Sequence, residues 1–164
     1  AVAAPVGNLV ALKIAVGREH SCAFVGRDNG DVLCWGQNNF RQSSAEAQEI
    51  VLRPPDTARF SNVGSVAAGS NFSCAEDVMA GIFCAGVDGY GQVSGLGVMT
   101  GQPRTEPVRV SGLEDMRFIV VKAGLYHACG VTPTDELWCW GYNAYGQAGI
   151  VSDGPTVPVK VGFE

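Results

Sequence analysis

Three segments of this chain repeat one another with two spacings held constant, and that repetition constrains the fold more than any other feature. The segments open as Ile14-Ala15-Val16-Gly17-Arg18-Glu19-His20-Ser21-Cys22, Val66-Ala67-Ala68-Gly69-Ser70-Asn71-Phe72-Ser73-Cys74 and Val121-Lys122-Ala123-Gly124-Leu125-Tyr126-His127-Ala128-Cys129. In each, a glycine stands five residues before the cysteine. They close through Cys34-Trp35-Gly36, Cys84-Ala85-Gly86 and Cys139-Trp140-Gly141, with Gln42, Gln92 or Gln147 eight residues after that second cysteine. The variable lengths lie between these fixed points. The glycines recur at intervals of 52 and 55 residues, the length of one four-stranded propeller blade with its connections.

Local patterning agrees with short strands. Phe118–Val121 is apolar and β-branched, His127–Val131 follows, and Leu137–Trp140 closes the unit. Fourth strands are predicted at Pro107–Val110 and Pro158–Val161, each headed by a proline, which is tolerable only on an outer edge where a missing N–H harms no ladder. The 22 glycines follow no three-residue period and read as turn punctuation. No sustained helical period is present, although Ser43–Ala47 is expected to make one short helical turn. The predicted class is therefore all-β: a partial β-propeller of three four-stranded antiparallel blades, at about 5–58, 59–112 and 113–164.

The cysteines sharpen this. Opposed residues of an antiparallel hairpin are equidistant from its turn. The midpoints of the cysteine pairs within each repeat fall on Asp28, Met79 and Thr134, and each sits among turn-forming residues. Bridges Cys22–Cys34, Cys74–Cys84 and Cys129–Cys139 follow, one clamping each blade. Reduced core thiols and a zinc site are the alternatives, and zinc is disfavoured because no two cysteines show the C-x2-C spacing. Disulfides imply an oxidising compartment: secreted, cell-surface or periplasmic. Asn71-Phe72-Ser73 is an N-glycosylation acceptor, consistent with that setting.

The pattern Gly-x-x-His-x-Cys … Cys-Trp-Gly-x-Asn-x-x-Gly-Gln resembles the repeat of the regulator-of-chromosome-condensation family, whose β-propellers usually have seven blades. Its cysteine-bearing form resembles extracellular members such as the ectodomains of plant Crinkly-type receptor kinases. The resemblance implies a fold more than a function. The second repeat departs from it, with Phe72 in place of His20 and His127, Ala85 in place of Trp35 and Trp140, and Val87-Asp88 where an asparagine is expected. Three blades do not close a ring, so the chain is expected to be a piece of a longer propeller, one copy of a homo-oligomeric ring, or a unit whose flanks a protein partner covers.

Net charge of −5 with scattered basic residues excludes a nucleic-acid surface, and no apolar run approaches a membrane span. No nucleophile–base set, phosphate loop or cofactor motif appears, so no enzyme activity, metal or cofactor is expected. His20 and His127 are expected to bond within their own blades, and Trp35 and Trp140 to pack between blades. Trp138 is either a second filler or part of an aromatic surface, while Phe40, Tyr90 and Tyr145 are expected between blades. Asn38, Asn143 and the three glutamines are expected to bond turn backbones. The long connections at 43–62 and 93–116 are where a private binding surface belongs, with Arg53, Arg59, Arg104 and Arg109 as anchors. The predicted function is a non-enzymatic extracellular protein-interaction or assembly module. A structural subunit of a larger complex, a receptor-ectodomain fragment and a carbohydrate-binding propeller are the alternatives.

Overall fold

A computed structural model describes residues 10–26, 30–79 and 81–162. The turn around Asp28, the predicted start of the first blade near residue 5 and the predicted end of the third at Glu164 lie outside these. Twelve strands run in order: β1 Ala11–Val16, β2 His20–Val25, β3 Gly30–Gln37, β4 Ile50–Val51, β5 Phe60–Ala68, β6 Phe72–Asp77, β7 Gly81–Gly86, β8 Arg104–Arg109, β9 Val120–Ala123, β10 His127–Val131, β11 Leu137–Gly141 and β12 Thr156–Lys160. All pairings are antiparallel, and β1–β4, β5–β8 and β9–β12 each form a group of four neighbours. Among the described residues no helix is long and apolar enough to cross a membrane.

The first two groups are not separate sheets. The early half of β5 pairs with β3 through Gly30↔Val63 and Val32↔Phe60, and its later half pairs with β6, so both groups join one eight-stranded sheet. Length explains this: β5 has nine residues and can serve two neighbours, whereas β4 has two. Pro54 and Pro55 follow β4 closely and lack the N–H that a longer ladder would need.

Pro107 and Pro158 sit inside β8 and β12 rather than at their heads. Both outer strands are tolerant because their registers break there. The ladder skips between Cys84 and Gly86 against β8, and between Cys139 and Gly141 against β12. Gly86 and Gly141 occupy this bulge with φ of 114° and 97°, and the equivalent Gly36 has φ of 107°, a region that only glycine enters freely. The following N–H, of Gln37, Val87 or Tyr142, is thereby aimed at the carbonyl of Glu19, Asn71 or Tyr126 at 2.8, 2.8 and 2.9 Å. Ser43–Ala47 is not helical. Asn38 competes for its backbone: Oδ1 accepts from the N–H of Ser43 and Ser44, while Nδ2 donates to the carbonyls of Glu46 and Gln48.

The core lies between groups. Cys22, Phe24, Val32 and Cys34 pack against Phe60, Val63, Val66, Ala75 and Ala85. One group on, Phe72, Cys74, Ile82 and Cys84 pack against Val121, Ala128 and Trp140. Each cysteine pair stands directly opposed in its hairpin, Cys22↔Cys34, Cys74↔Cys84 and Cys129↔Cys139, and each is bonded. The first two bridges are fully buried under the next group.

Candidate functional site

The loops at one end of the strands repeat the same hydrogen bonds. Gln42, Gln92 and Gln147 each accept, through Oε1, the N–H of the residue two positions earlier, Phe40, Tyr90 or Tyr145, at 3.0, 2.7 and 3.0 Å. Asn143 Oδ1 accepts from Ala148 N–H at 2.7 Å, as Asn38 does in its own loop. Asp88 fills the same place in the second unit. Its Oδ1 accepts from the N–H of Val93 and Ser94, both at 3.0 Å. Its second atom is an oxygen where asparagine has a donor, and the loop has changed to suit. Thr100 Oγ1 lies 3.4 Å away with its hydroxyl on the Asp88 carbonyl at 2.9 Å, and Arg104 Nε approaches to 3.4 Å. The Asp88 side chain is fully buried, so Arg104 serves as its counter-ion rather than as an exposed anchor.

All four tyrosines of the chain meet at this end. Tyr90, from the loop after β7, lies 5.2 Å from Tyr126 and 4.7 Å from Tyr142, ring centre to ring centre. Tyr142 meets Tyr145 edge-on at 6.1 Å. Partial desolvation, helped by Tyr145 and Tyr90, holds the Tyr142 phenol above its ordinary pKa. Tyr90 thus packs across to the third group as expected, whereas Tyr145, its equivalent in the third group, is 87% exposed. The cluster was not legible as a site. Its signal was that Tyr126 and Tyr142 replace Glu19 and Gln37 of the first repeat, and Asn71 and Val87 of the second.

The other singled-out residues scatter. Trp140 is fully buried, its Nε1 donating to the Gln92 carbonyl at 3.0 Å, whereas Trp35 is only half-buried. Trp138 packs on the core between the second and third groups. Arg53 is exposed on the loop after β4, and Arg109 lies over the Phe83 ring at 5.4 Å. Arg59 is buried. Asn71 is half-buried at the turn between β5 and β6. His20 does not bond within its own unit: Nε2 reaches Ser73 Oγ of the second at 2.9 Å. Ser73 and Ala128, each just before a first cysteine, both face the preceding group. Burial lowers the His20 pKa to about 4. Among the described residues, no three His, Cys, Asp or Glu side chains gather to hold a metal ion.

Residues 12–42 and 118–147 match the family described as Regulator of chromosome condensation (RCC1) repeat. The middle unit, with Phe72 and Ala85, falls outside both matched stretches. The secretion-regulating guanine nucleotide exchange factor of Bos taurus is 31% identical over 128 residues, covering 73% of this chain and 27% of that protein. A probable E3 ubiquitin-protein ligase, HERC4 of Homo sapiens, is 36% identical over 47 residues, 29% of this chain and 4% of that one. In structure, human WBSCR16 superposes with a TM-score of 0.78 at 21% identity, over 94% of this chain and 41% of that one. Yeast RCC1 (Prp20), solved with Kap60, gives 0.74 at 21% identity, over 93% and 37%. The chain thus spans about a quarter of the bovine relative and about two fifths of these solved chains. Residues 12–42 and 118–147 thus carry the RCC1 repeat pattern, and the chain shares the fold of these propellers.

Proposed function

We propose that this chain is part of an extracellular, non-enzymatic propeller that binds a protein partner through the end carrying its tyrosines. The observation that carries the reading is the convergence of Tyr90, Tyr126 and Tyr142, rings from two strand groups that stay half-buried at one end of the strands. Tyrosine offers large, rigid contact area with a polar tip at low entropic cost and is enriched at the centres of interfaces. The named partners of relatives point the same way, since Prp20 was solved with Kap60 and studied for binding to Gsp1p and histones. The oxidised setting rests on six cysteines all bonded within hairpins, with none left free. A photo-crosslinking residue at position 142 of the full-length protein, made in its own host, tests the surface. A discrete protein adduct from position 142, absent from a control at exposed Val151, supports it. Adducts from neither position, or equally from both, would refute it.

A second reading has its own observation. Val10, just before β1, and Leu12, Ile14 and Val16 within it are 53–73% exposed. Read as three blades of an open arc, about 5–58, 59–112 and 113–164, the chain would present this flank to further blades, to another copy or to a partner as a structural subunit. Native mass of the purified chain decides: a stable monomer at high concentration counts against a flank that must be covered.

A further inference from the structure

Arg59 is a buried cation without a buried anion. It is 6% exposed, and among the described residues the ion pairs are Arg104–Asp88 and Lys160–Glu136. Its Nη2 donates to the carbonyls of Arg41 and Thr105, both at 2.7 Å, while Nε has no partner. Desolvation lowers its pKa to about 10, with Glu106 opposing the shift from a distance. Carbonyl dipoles offset only part of what it costs to remove a guanidinium from water, and natural sites normally complete the balance with a carboxylate.

The space for one lies alongside. A cavity of about 260 Å³ is lined by Arg59, Phe60, Val63, Phe83 and Pro107, together with Ser61 and Asp77. That is just below the roughly 300–1,000 Å³ of pockets for drug-sized ligands, so the occupant is small or is the end of something larger. The apolar walls exclude a strongly hydrated ion. Asp77 is a like charge for any anion, but Oδ1 is committed to the N–H of Met79 at 2.8 Å. Arg109, over the Phe83 ring, adds a second positive charge near the rim. With Glu106 acting from a distance the two positive and two negative charges balance, so a ligand with no more than one negative charge suits the site.

We propose that this cavity binds a monocarboxylate with a short apolar body, either a free acid or the C-terminal residue of a peptide. Arg59 meets the carboxylate, and Phe60, Val63 and Phe83 enclose the apolar part. The site lies between β5, β7 and β8, apart from the tyrosine surface, and does not depend on it.

The test is an NMR titration of the full-length protein, following the Arg Nε–H resonance that disappears in Arg59→Gln. The probes are 4-methylpentanoate, its amide, and acetyl-Gly-Leu with a free or amidated C-terminus. The acid should give a saturable shift, with the amide at least tenfold weaker. Phe83→Ala should weaken the acid severalfold. Should Arg59→Gln fail to fold, the amide control and Phe83→Ala still read the site. Stronger binding of the free-ended peptide than of 4-methylpentanoate assigns the natural source to a polypeptide terminus, and the reverse order assigns it to a small acid. Glu106→Gln separates the rival, in which Glu106 swings in as the counter-ion. The carboxylate site predicts unchanged or tighter acid binding in that variant. Equal response to acid and amide, or no saturation by about 10 mM, overturns the proposal.

Discussion

His20 Nε2 stands 2.9 Å from Ser73 Oγ, a contact that joins the first strand group to the second through polar atoms buried on both sides. Ser73 donates its own hydrogen to the Gln42 carbonyl at 2.8 Å, so it must accept from His20, which fixes the imidazole as the neutral Nε2–H form. The equivalent pair one group on is Phe72 and Ala128, both in the apolar cluster between the second and third groups. Polar meets polar at the first junction, and apolar meets apolar at the second.

Ser73→Ala should therefore destabilise the protein by about 1–3 kcal/mol, because His20 is left buried with neither nitrogen satisfied. Adding His20→Phe to Ser73→Ala reproduces the second junction at the first. The double variant should recover more stability than the single changes sum to, by at least about 0.5 kcal/mol. Urea unfolding of protein made without glycosylation measures this, and strict additivity would contradict the pairing.

Acid should loosen the same junction. Burial holds the folded pKa of His20 at about 4, below its ordinary 6.5, so the unfolded chain takes up the proton first. Stability from this group is complete above pH 6.5, falls as pH drops from there to about 4, and is then gone. The loss amounts to roughly 3 kcal/mol. His127 is shifted down by burial too and adds in the same direction. The double variant His20→Phe/Ser73→Ala should show a flatter stability profile between pH 6.5 and 4, read from thermal midpoints.

Asp88→Asn restores the residue of the other two units and should still be harmful. The new Nδ2 would face Arg104 Nε, donor against donor, and the buried Oδ2 partner of Arg104 would be lost. A cost of about 1–3 kcal/mol is expected, and Arg104→Gln in the same chain should relieve part of it. A neutral Asp88→Asn would show that the loop is held by the Oδ1 contacts alone.

Removing the middle bridge as Cys74→Ala/Cys84→Ala should cost about 3 kcal/mol, given the short loop it closes. Peptide mapping without reductant should recover Cys22–Cys34, Cys74–Cys84 and Cys129–Cys139 and no peptide linked between units.

What the sequence disclosed was what is local. Strand pairs and cysteine register follow from distance to a turn, and Cys129↔Cys139 sits symmetrically about a turn where Asp135 bonds back to Thr132. The Asn38 and Gln42 contacts lie within a few residues of their partners, so residue type and spacing exposed them. His20 could not be read correctly because its partner is 53 residues away on the next group. Tyr90 finds Tyr126 and Tyr142 by the same kind of cross-group contact. Arg59 looked like a surface anchor because its connection is long and polar, yet β5 begins at the next residue and draws it inside. The broken register that admits Pro107 and Pro158 is set by a neighbouring strand and leaves no mark in the proline-bearing segment itself.

Ser73 is also the third residue of the Asn71-Phe72-Ser73 acceptor motif, which a transferase reads through that hydroxyl. In the finished fold the hydroxyl is sealed, with Gln42 and His20 on either side of it. Any sugar on Asn71 therefore has to arrive while the first two groups are still apart. Occupancy at that asparagine would act as a clock, recording how long the nascent chain lingered before its first junction closed.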